Sequence, residues 1–242
     1  MVNVDRVYQR VLALANKEQR GYITPQEFNL FANQAQMDTF EQYFYDLNQF
    51  RRLNGNDTVH SDITTILEEK ISIFEAEGTV DRFDINPDVD IEEFVYNLNA
   101  SIPNLYRITN IRIYRNGNWR LVEHVSKKDF RQMNLGPLTQ ATSSRPVYTI
   151  DGTNIVTLFF NPPETITVDH IRRPNQVSWG FTMVGGVAIY NDGISTNFEL
   201  HPSEEADLVI KILTLAGITI KDQGLYGIGV QEDNKNIQQE KQ

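Results

Sequence analysis

The chain contains no cysteine. That absence excludes disulfides, zinc–thiolate sites, iron–sulfur clusters and thiol catalysis together, and it suits a protein assembled in a reducing cytoplasm. Long apolar runs are also missing: a stretch such as Leu208 to Leu215 is interrupted by Lys211, so no segment reads as a membrane span. The first residues carry Asp5, Arg6 and Arg10 within an amphipathic pattern, so no signal peptide is expected. Basic charge is scarce. Lys and Arg number 22 against 32 Asp and Glu, a net charge of −10 that repels phosphate backbones at long range. The four histidines, His60, His124, His170 and His201, have neither an i,i+4 pair nor HExxH spacing. There is no GxSxG elbow and no GxxxxGK phosphate loop. The expectation is a non-enzymatic protein with no catalytic residue, no metal ligand and no cofactor.

What is present is enough apolar residue for a sizeable core, 40% of 242 positions. Val4, Val7, Leu12 and Ala15 fall near one helical stripe, with Val11 and Leu14 widening it, predicting a helix from Val2 to about Lys17. Thr24-Pro25-Gln26-Glu27 supplies an N-cap hydroxyl, a proline at the first helical position and a capping-box glutamate, so a second helix should run to about Leu53. Its aromatics, Phe28, Phe31, Phe40, Tyr43, Phe44, Tyr45 and Phe50, exceed what one stripe of a helical hairpin buries, which points some of them at another subunit. After the turn at Asn54-Gly55-Asn56-Asp57, the apolar spacing from Ile63 to Phe74 suits either a third helix or a β segment rich in Thr and Ile, with helix the favoured of the two.

From Thr79 to about His201, short β-branched runs alternate with Asn, Asp, Gly and Pro. Leu105 to Tyr114 and Trp119 to Val125 flank Asn116-Gly117-Asn118, a strong hairpin signal. Its register is open: Ile111, Ile113, Trp119 and Leu121 share a face only with a three-residue loop, whereas Asn-Gly favours two. Ser126 followed by Asp129 suggests a short capped helix, and Ile155 to Phe160 is expected to pair with Thr165 to Ile171 across Pro162-Pro163. His201 to Glu205 opens a last helix that buries Leu208, Val209, Ile212, Leu213 and Leu215, with Gly217 as its left-handed cap. The fold class is therefore α+β: an N-terminal helical hairpin, a β-rich, sandwich or barrel-like middle, and C-terminal helices. The expected organisation is a helical region at 1–77, a β-rich domain at 78–200, a helix packed on the core at 201–224, and a polar tail at 225–242 that orders only on assembly.

Three patterns resemble sites. Asn16 to Glu27 aligns with a twelve-residue calcium loop at Gly21, Ile23 and Glu27, but Asn16, Glu18 and Arg20 stand where cation ligands belong, and the capping box explains the rest. Asp81, Asp84, Asp88, Asp90, Glu92 and Glu93 read as a solvated loop and a helix start. Gly185-Gly186 reads as a turn between strands. The dispersed cations, Arg51-Arg52, Arg112, Arg115, Arg120, Lys127-Lys128 and Arg172-Arg173, suit salt links to the acidic surface of a neighbouring subunit, with passing contact to DNA as the other use.

Residues Val7 to Asn29, with the segment ANKEQRGYITPQEFN and its Gln- and aromatic-rich helix, resemble virion structural proteins of crAss-like podoviruses. So do Phe198 to Glu205, Val209 to Leu213 and Ala216 to Ile218, together with Ile171 to Pro174 and Trp179. The resemblance covers about half the chain and implies a head-to-tail connector or neck ring protein of a tailed bacteriophage, assembled in the host cytoplasm. It implies a homo-oligomeric ring of roughly twelve copies by analogy, stacked below the portal protein and meeting neighbouring neck and tail proteins. Phe40, Tyr43, Phe44, Tyr45, Arg172, Arg173, Tyr226 and Ile237 are the candidate interface residues. The alternative role is another virion structural protein: tail tube, minor capsid or decoration protein.

Overall fold

The computed structural model describes residues 1–17, 22–52, 58–85, 93–115, 117–136, 138–139, 141–142, 145–152, 154–158 and 165–219. In chain order the elements are α1 (Val4–Lys17), α2 (Pro25–Arg52), α3 (Thr58–Ser72), β1 (Glu75–Ile85), β2 (Glu93–Asn97), α4 (Leu98–Ser101), β3 (Leu105–Arg115) and β4 (Asn118–His124). Then follow α5 (Lys127–Asn134), β5 (Val147–Asp151), β6 (Asn154–Leu158), β7 (Thr165–Arg172), β8 (Phe181–Val184), β9 (Val187–Tyr190) and α6 (Glu205–Thr219). The fold is α+β. It divides into two compact units, residues 1–73 with 174–242, and residues 74–173.

In the helical unit, local signals set the helix starts. Thr24 and Glu27 form a reciprocal capping box: the Thr24 N–H donates to Glu27 Oε2 at 2.9 Å, and the Glu27 N–H donates to Thr24 Oγ1 at 3.3 Å. These bonds hold the Glu27 carboxyl below the usual carboxylate range. α2 is the central element, packed against both α3 and α6. That corrects the expectation drawn from its aromatics. A helix covered on several sides needs no single stripe, so Phe28, Phe31, Phe40 and Tyr43 are all buried within this unit, Phe44 is half-buried, and only Tyr45 of the interface candidates on α2 is exposed. α6 runs on through Gly217 to Thr219, so Gly217 is a buried helical residue and not a left-handed cap. Its buried face is Leu208, Val209, Ile212, Thr214 and Ala216, with Leu213 and Leu215 half-buried. The acids that open it have partners beyond the helix dipole: Glu204 meets Lys70 at 2.6 Å, and Glu205 meets Arg10 at 2.8 Å.

The segment from Pro174 to Leu200 belongs to this unit, not to the β-rich one as the 78–200 boundary supposed. Its first extended stretch, Asn175 to Trp179, pairs with side-chain amides of α2, and its later part forms the β8–β9 hairpin. Asn29, Asn33 and Gln36 lie one turn apart along α2 and hydrogen-bond Trp179, Val177 and Asn175 in succession. A strand presents alternate residues about as far apart as a helix presents successive turns, which lets the two rows match.

The second unit is a closed seven-stranded barrel in the order β1-β2-β6-β5-β4-β3-β7. β1 is long enough to pair with β7 through Glu75 to Asp81 and with β2 through Arg82 to Ile85. All pairs are antiparallel except β4 with β5, where α5 lies in the crossover, started by the Ser126 cap on the Asp129 N–H. Alternate residues fill the interior: Val80, Tyr96, Ile111, Ile113, Val122, Tyr148, Ile155, Ile166 and Val168, with Leu98 and Ile102 from the α4 turn. Phe130 of α5 packs on Val147 and Ala141 in a separate cluster.

Two pairings answer the sequence reading. Tyr114 lies opposite Trp119 and Arg115 opposite Asn118, so the Asn-Gly loop has two residues, with Gly117 at φ 80°. Ile111 and Ile113 consequently point inward while Trp119 and Leu121 point out. The expected pairing of 155–160 with 165–171 does not form. β6 pairs with β5, Asp151 opposite Asn154, and with β2, while β7 pairs with β1 and β3. Barrel closure gives each of these strands a partner far away in sequence.

Candidate functional site

Residues 174–200 carry a two-stranded hairpin that stands out chemically. From Phe181 to Tyr190 the sequence is FTMVGGVAIY, ten residues without a charge. Gly185 and Gly186 take φ 59° and 84°, the left-handed pair that a two-residue hairpin loop needs, so the expected turn between strands is present. Pairing sets Phe181 opposite Tyr190, Met183 opposite Ala188, and Val184 opposite Val187. The two faces are therefore Phe181, Met183, Ala188 and Tyr190 on one side, and Thr182, Val184, Val187 and Ile189 on the other. Met183, Val184, Val187 and Ile189 are 50–65% exposed, and Ile194 beside the base is 58% exposed.

A lone two-stranded hairpin is marginal in water, so its order has to come from its base. Trp179 is buried there. Its ring lies 4.5 Å from that of Tyr8 and 5.8 Å from those of Phe181 and Tyr190, and its Nε1–H donates to Asp5 Oδ1 at 2.9 Å. Burial, with Tyr22 adding to it, pushes the Tyr8 hydroxyl well above its ordinary range, and that hydroxyl donates to the Ile23 carbonyl. The Gly180 N–H donates to Ser195 Oγ at 2.9 Å, and the Asn191 N–H donates to the Gly180 carbonyl at 2.9 Å. Asn29 grips the Trp179 backbone from α2, and Asn33 grips Val177. The hairpin is thus an apolar tip on a polar, hydrogen-bonded base.

The barrel carries a second surface of interest. On the outer face of β3 and β4, Tyr114, Trp119 and Leu121 are 54–65% exposed. Tyr114 and Trp119 are cross-strand neighbours with ring centroids 5.1 Å apart. The Arg112 guanidinium sits 5.2 Å from the Trp119 ring centre and is tied to Asp169 at 2.6 Å and Glu77 at 2.9 Å. Other cations also find acids within the chain: Arg51 with Glu68, Lys127 with Asp151, and Arg145 with Glu123, whose carboxyl the guanidinium holds low.

The other residues singled out in the sequence are not brought together. Arg172 is half-buried at the end of β7 and Arg173 is exposed after it, while Tyr226 and Ile237 lie outside the described residues. His124 faces Tyr148, His170 is buried with Nδ1 3.2 Å from the Val168 carbonyl, and His201 caps the turn at Ser203. Among the described residues no three His, Asp or Glu side chains are grouped to hold a metal, and no helix is long and apolar enough to cross a membrane. Residues 18–21 of the calcium-like stretch and most side chains of the acidic run lie outside the described residues; in the described part of that stretch Glu27 is taken up by the Thr24 capping box, and Asp81 accepts a hydrogen bond from Thr165. The Gly185-Gly186 turn is legible in the sequence, but the exposure of the strands beside it is not. The available signal is the uncharged decapeptide itself, placed inside a polar, Asn-rich stretch. Comparison with known proteins returns no matching family model and no matching curated protein.

Proposed function

We propose that this chain is a structural subunit of a tailed-phage particle that assembles into a ring in the head-to-tail connector or neck, below the portal. The observation that supports assembly is the hairpin: Met183, Val184, Val187 and Ile189 stand exposed on both faces of a firmly based, uncharged β-ribbon. Contiguous exposed apolar surface of this kind marks an interaction site. The place in the particle rests on what is implied by the resemblance of residues 7–29, 198–205, 209–213 and 216–218 to virion structural proteins of crAss-like podoviruses. Non-enzymatic character fits a site built of Met, Val and Ile, which offer neither nucleophile nor acid–base group.

The test is native mass spectrometry of the purified chain, alone and with the portal protein of the same particle, on wild type and on a Val184→Lys, Val187→Glu variant. Wild type is expected in a fixed ring multiple. The variant is expected to remain monomeric at an unchanged melting temperature, since both positions are exposed. A variant that assembles like wild type would remove the hairpin from the assembly, and a wild type that never oligomerises, with or without portal, would overturn the reading.

A further inference from the structure

Among the described residues, only β8 and β9 have a side with no neighbouring strand. The strands of the second unit close on one another into a barrel, whereas β8 and β9 pair with each other alone. The Asn191 N–H bonded to the Gly180 carbonyl fixes which backbone groups of the hairpin face inward, because hydrogen-bonded and non-bonded pairs alternate along an antiparallel ladder. Thr182 with Ile189, and Val184 with Val187, therefore bond within the ribbon. Phe181 and Met183 turn their N–H and C=O groups out along the β8 edge, and Ala188 and Tyr190 do so along the β9 edge. Among the described residues none of these outward backbone groups has a partner. Resting on the assembly reading above, we infer that β9 of one copy pairs antiparallel with β8 of the next, so that the hairpins of successive copies join edge to edge in one intersubunit sheet.

The topology selects this occupant. A strand edge is recognised through its backbone, and its complement is another free strand edge. A second copy offers such an edge, among the described residues, on this hairpin alone, because its other strands are closed in the barrel. Edges that stay solitary are usually blunted by Lys, Pro or a bulge. The ribbon FTMVGGVAIY has no charge and no proline, and its register runs unbroken from Phe181 opposite Tyr190 to Val184 opposite Val187. Two copies of a chain with net charge −10 thus meet here with no charged side chain on either ribbon.

Edge pairing also accounts for apolar residues on both faces, one of which a partner lying flat on the ribbon would leave in water. It sets Tyr190 beside Phe181 and Ala188 beside Met183 of the next copy on one face, and Ile189 beside Thr182 and Val187 beside Val184 on the other. Rotation about an axis along the strands keeps every hairpin pointing the same way, so β9 and the next β8 run antiparallel at equal height with no register shift. The residues that then face each other, Tyr190 with Phe181 and Ala188 with Met183, are the ones whose backbone groups point outward. One edge of each copy meets the other edge of its neighbour, which is the heterologous contact a closed cycle needs, and closure leaves no edge unpaired.

The alternation gives a residue-by-residue test on the full chain. In the assembled state, amide exchange at Phe181, Met183, Ala188 and Tyr190 is expected to slow roughly tenfold or more relative to the diluted monomer, while Thr182, Val184, Val187 and Ile189, already bonded within the ribbon, change less. Met183→Pro and Ala188→Pro each delete an outward N–H and no bond inside the ribbon. Each should weaken self-association roughly tenfold or more with an unchanged circular dichroism spectrum, whereas Met183→Leu, which keeps the N–H, should assemble like wild type. Because the chain has no cysteine, Met183→Cys and Ala188→Cys mixed as separate single variants should give a disulfide dimer that neither gives alone. An oligomer whose outward amides exchange as in the monomer, or proline variants that assemble like wild type, overturns the edge pairing and leaves the assembly reading intact. A disulfide formed by Met183→Cys copies alone, the sign of a two-fold contact, also overturns it. Protection that appears only when the portal protein is added assigns the edge to a strand of that protein and overturns the pairing between copies. A chain that stays monomeric with and without portal overturns both.

Discussion

Asn33 and Val177 exchange two hydrogen bonds of 2.8 Å: the Val177 N–H donates to Asn33 Oδ1, and Asn33 Nδ2 donates to the Val177 carbonyl. One side chain thus does for an extended backbone what a neighbouring strand does in a sheet. Asn33 Nδ2 donates also to the Asn29 carbonyl, which locks the amide orientation. The same device recurs at Asn29 with Trp179, and at Gln36 with Asn175 and Glu199. It ties the hairpin-bearing segment to α2.

Asn33→Leu removes both bonds and leaves a part-buried N–H and carbonyl without partners. Stranded backbone groups cost about 1–3 kcal/mol each, so a loss near 3 kcal/mol is expected, lowering the melting temperature by roughly 6–12 °C. Asn33→Asp should be worse at pH 7 than at pH 4, because an ionised carboxylate would face the carbonyls of Asn29 and Val177 while a protonated one can donate to either. Urea melts at the two pH values check this, and equal losses would sink the account.

The capping box gives a pH-dependent prediction. Hydrogen bonds from Thr24 lower the folded-state pKa of Glu27, so its contribution is present above the unfolded carboxylate value of about 4.3 and is lost as pH falls through the lower folded value. Glu27→Gln should therefore be less stable than wild type at neutral pH, with the gap closing in acid. Thr24→Ala should cost about 1 kcal/mol. A Glu27→Gln gap that stays constant from pH 7 to pH 3 would show that the carboxylate charge is not what the cap uses.

The barrel supplies a contrast between adjacent faces. Ile113 is buried and Trp119 exposed, although both are large apolar residues on one hairpin. Ile113→Ala should cost about 3 kcal/mol through lost burial and an unfilled cavity. Trp119→Ala removes an outward ring pair and a cation–π contact and should cost about 1 kcal/mol. Chemical denaturation of the two variants decides between this register and the three-residue loop, which would make Trp119 the costlier loss.

Local features are legible in the sequence and non-local ones are not. Thr24-Pro25 and Ser126 mark helix starts because a cap acts within one turn. Asn116-Gly117 and Gly185-Gly186 mark hairpins because loop conformation is set by the loop residues. The pairing of β6 with β5 and β2 escapes the sequence because β-branched runs do not name their partners. Residues 175–179 read as part of the β-rich domain since their texture is that of a strand, while their true partner, the row Asn29, Asn33 and Gln36, looks like ordinary polar positions on a helix. Some of the aromatics of α2 read as outward-facing because nothing local tells that this helix is enclosed. Composition shows what a segment can bury, and topology decides against what.

Gly180 shows how closely the hairpin base is fitted. A Cβ there would stand 2.5 Å from Ile194 Cγ1 and 2.8 Å from the Ile194 carbonyl carbon and oxygen. The Ile194 side chain can rotate away, but its backbone is held on the C-terminal side: Ser195 Oγ accepts from the Gly180 N–H and donates to the Asn191 carbonyl, while Thr196 and Ser178 exchange backbone bonds of 2.8 and 3.1 Å. Gly180→Ala must therefore spread the base, at about 1–3 kcal/mol. Gly193→Ala is the control, since its Cβ meets only Asn191 Oδ1 at 3.4 Å. The expected outcome is faster amide exchange across Phe181–Tyr190 and weaker assembly for Gly180→Ala, with Gly193→Ala close to wild type. If Gly180→Ala keeps wild-type exchange in the hairpin, the base is not what orders the tip, and the apolar ribbon must be held by some other part of the helical unit.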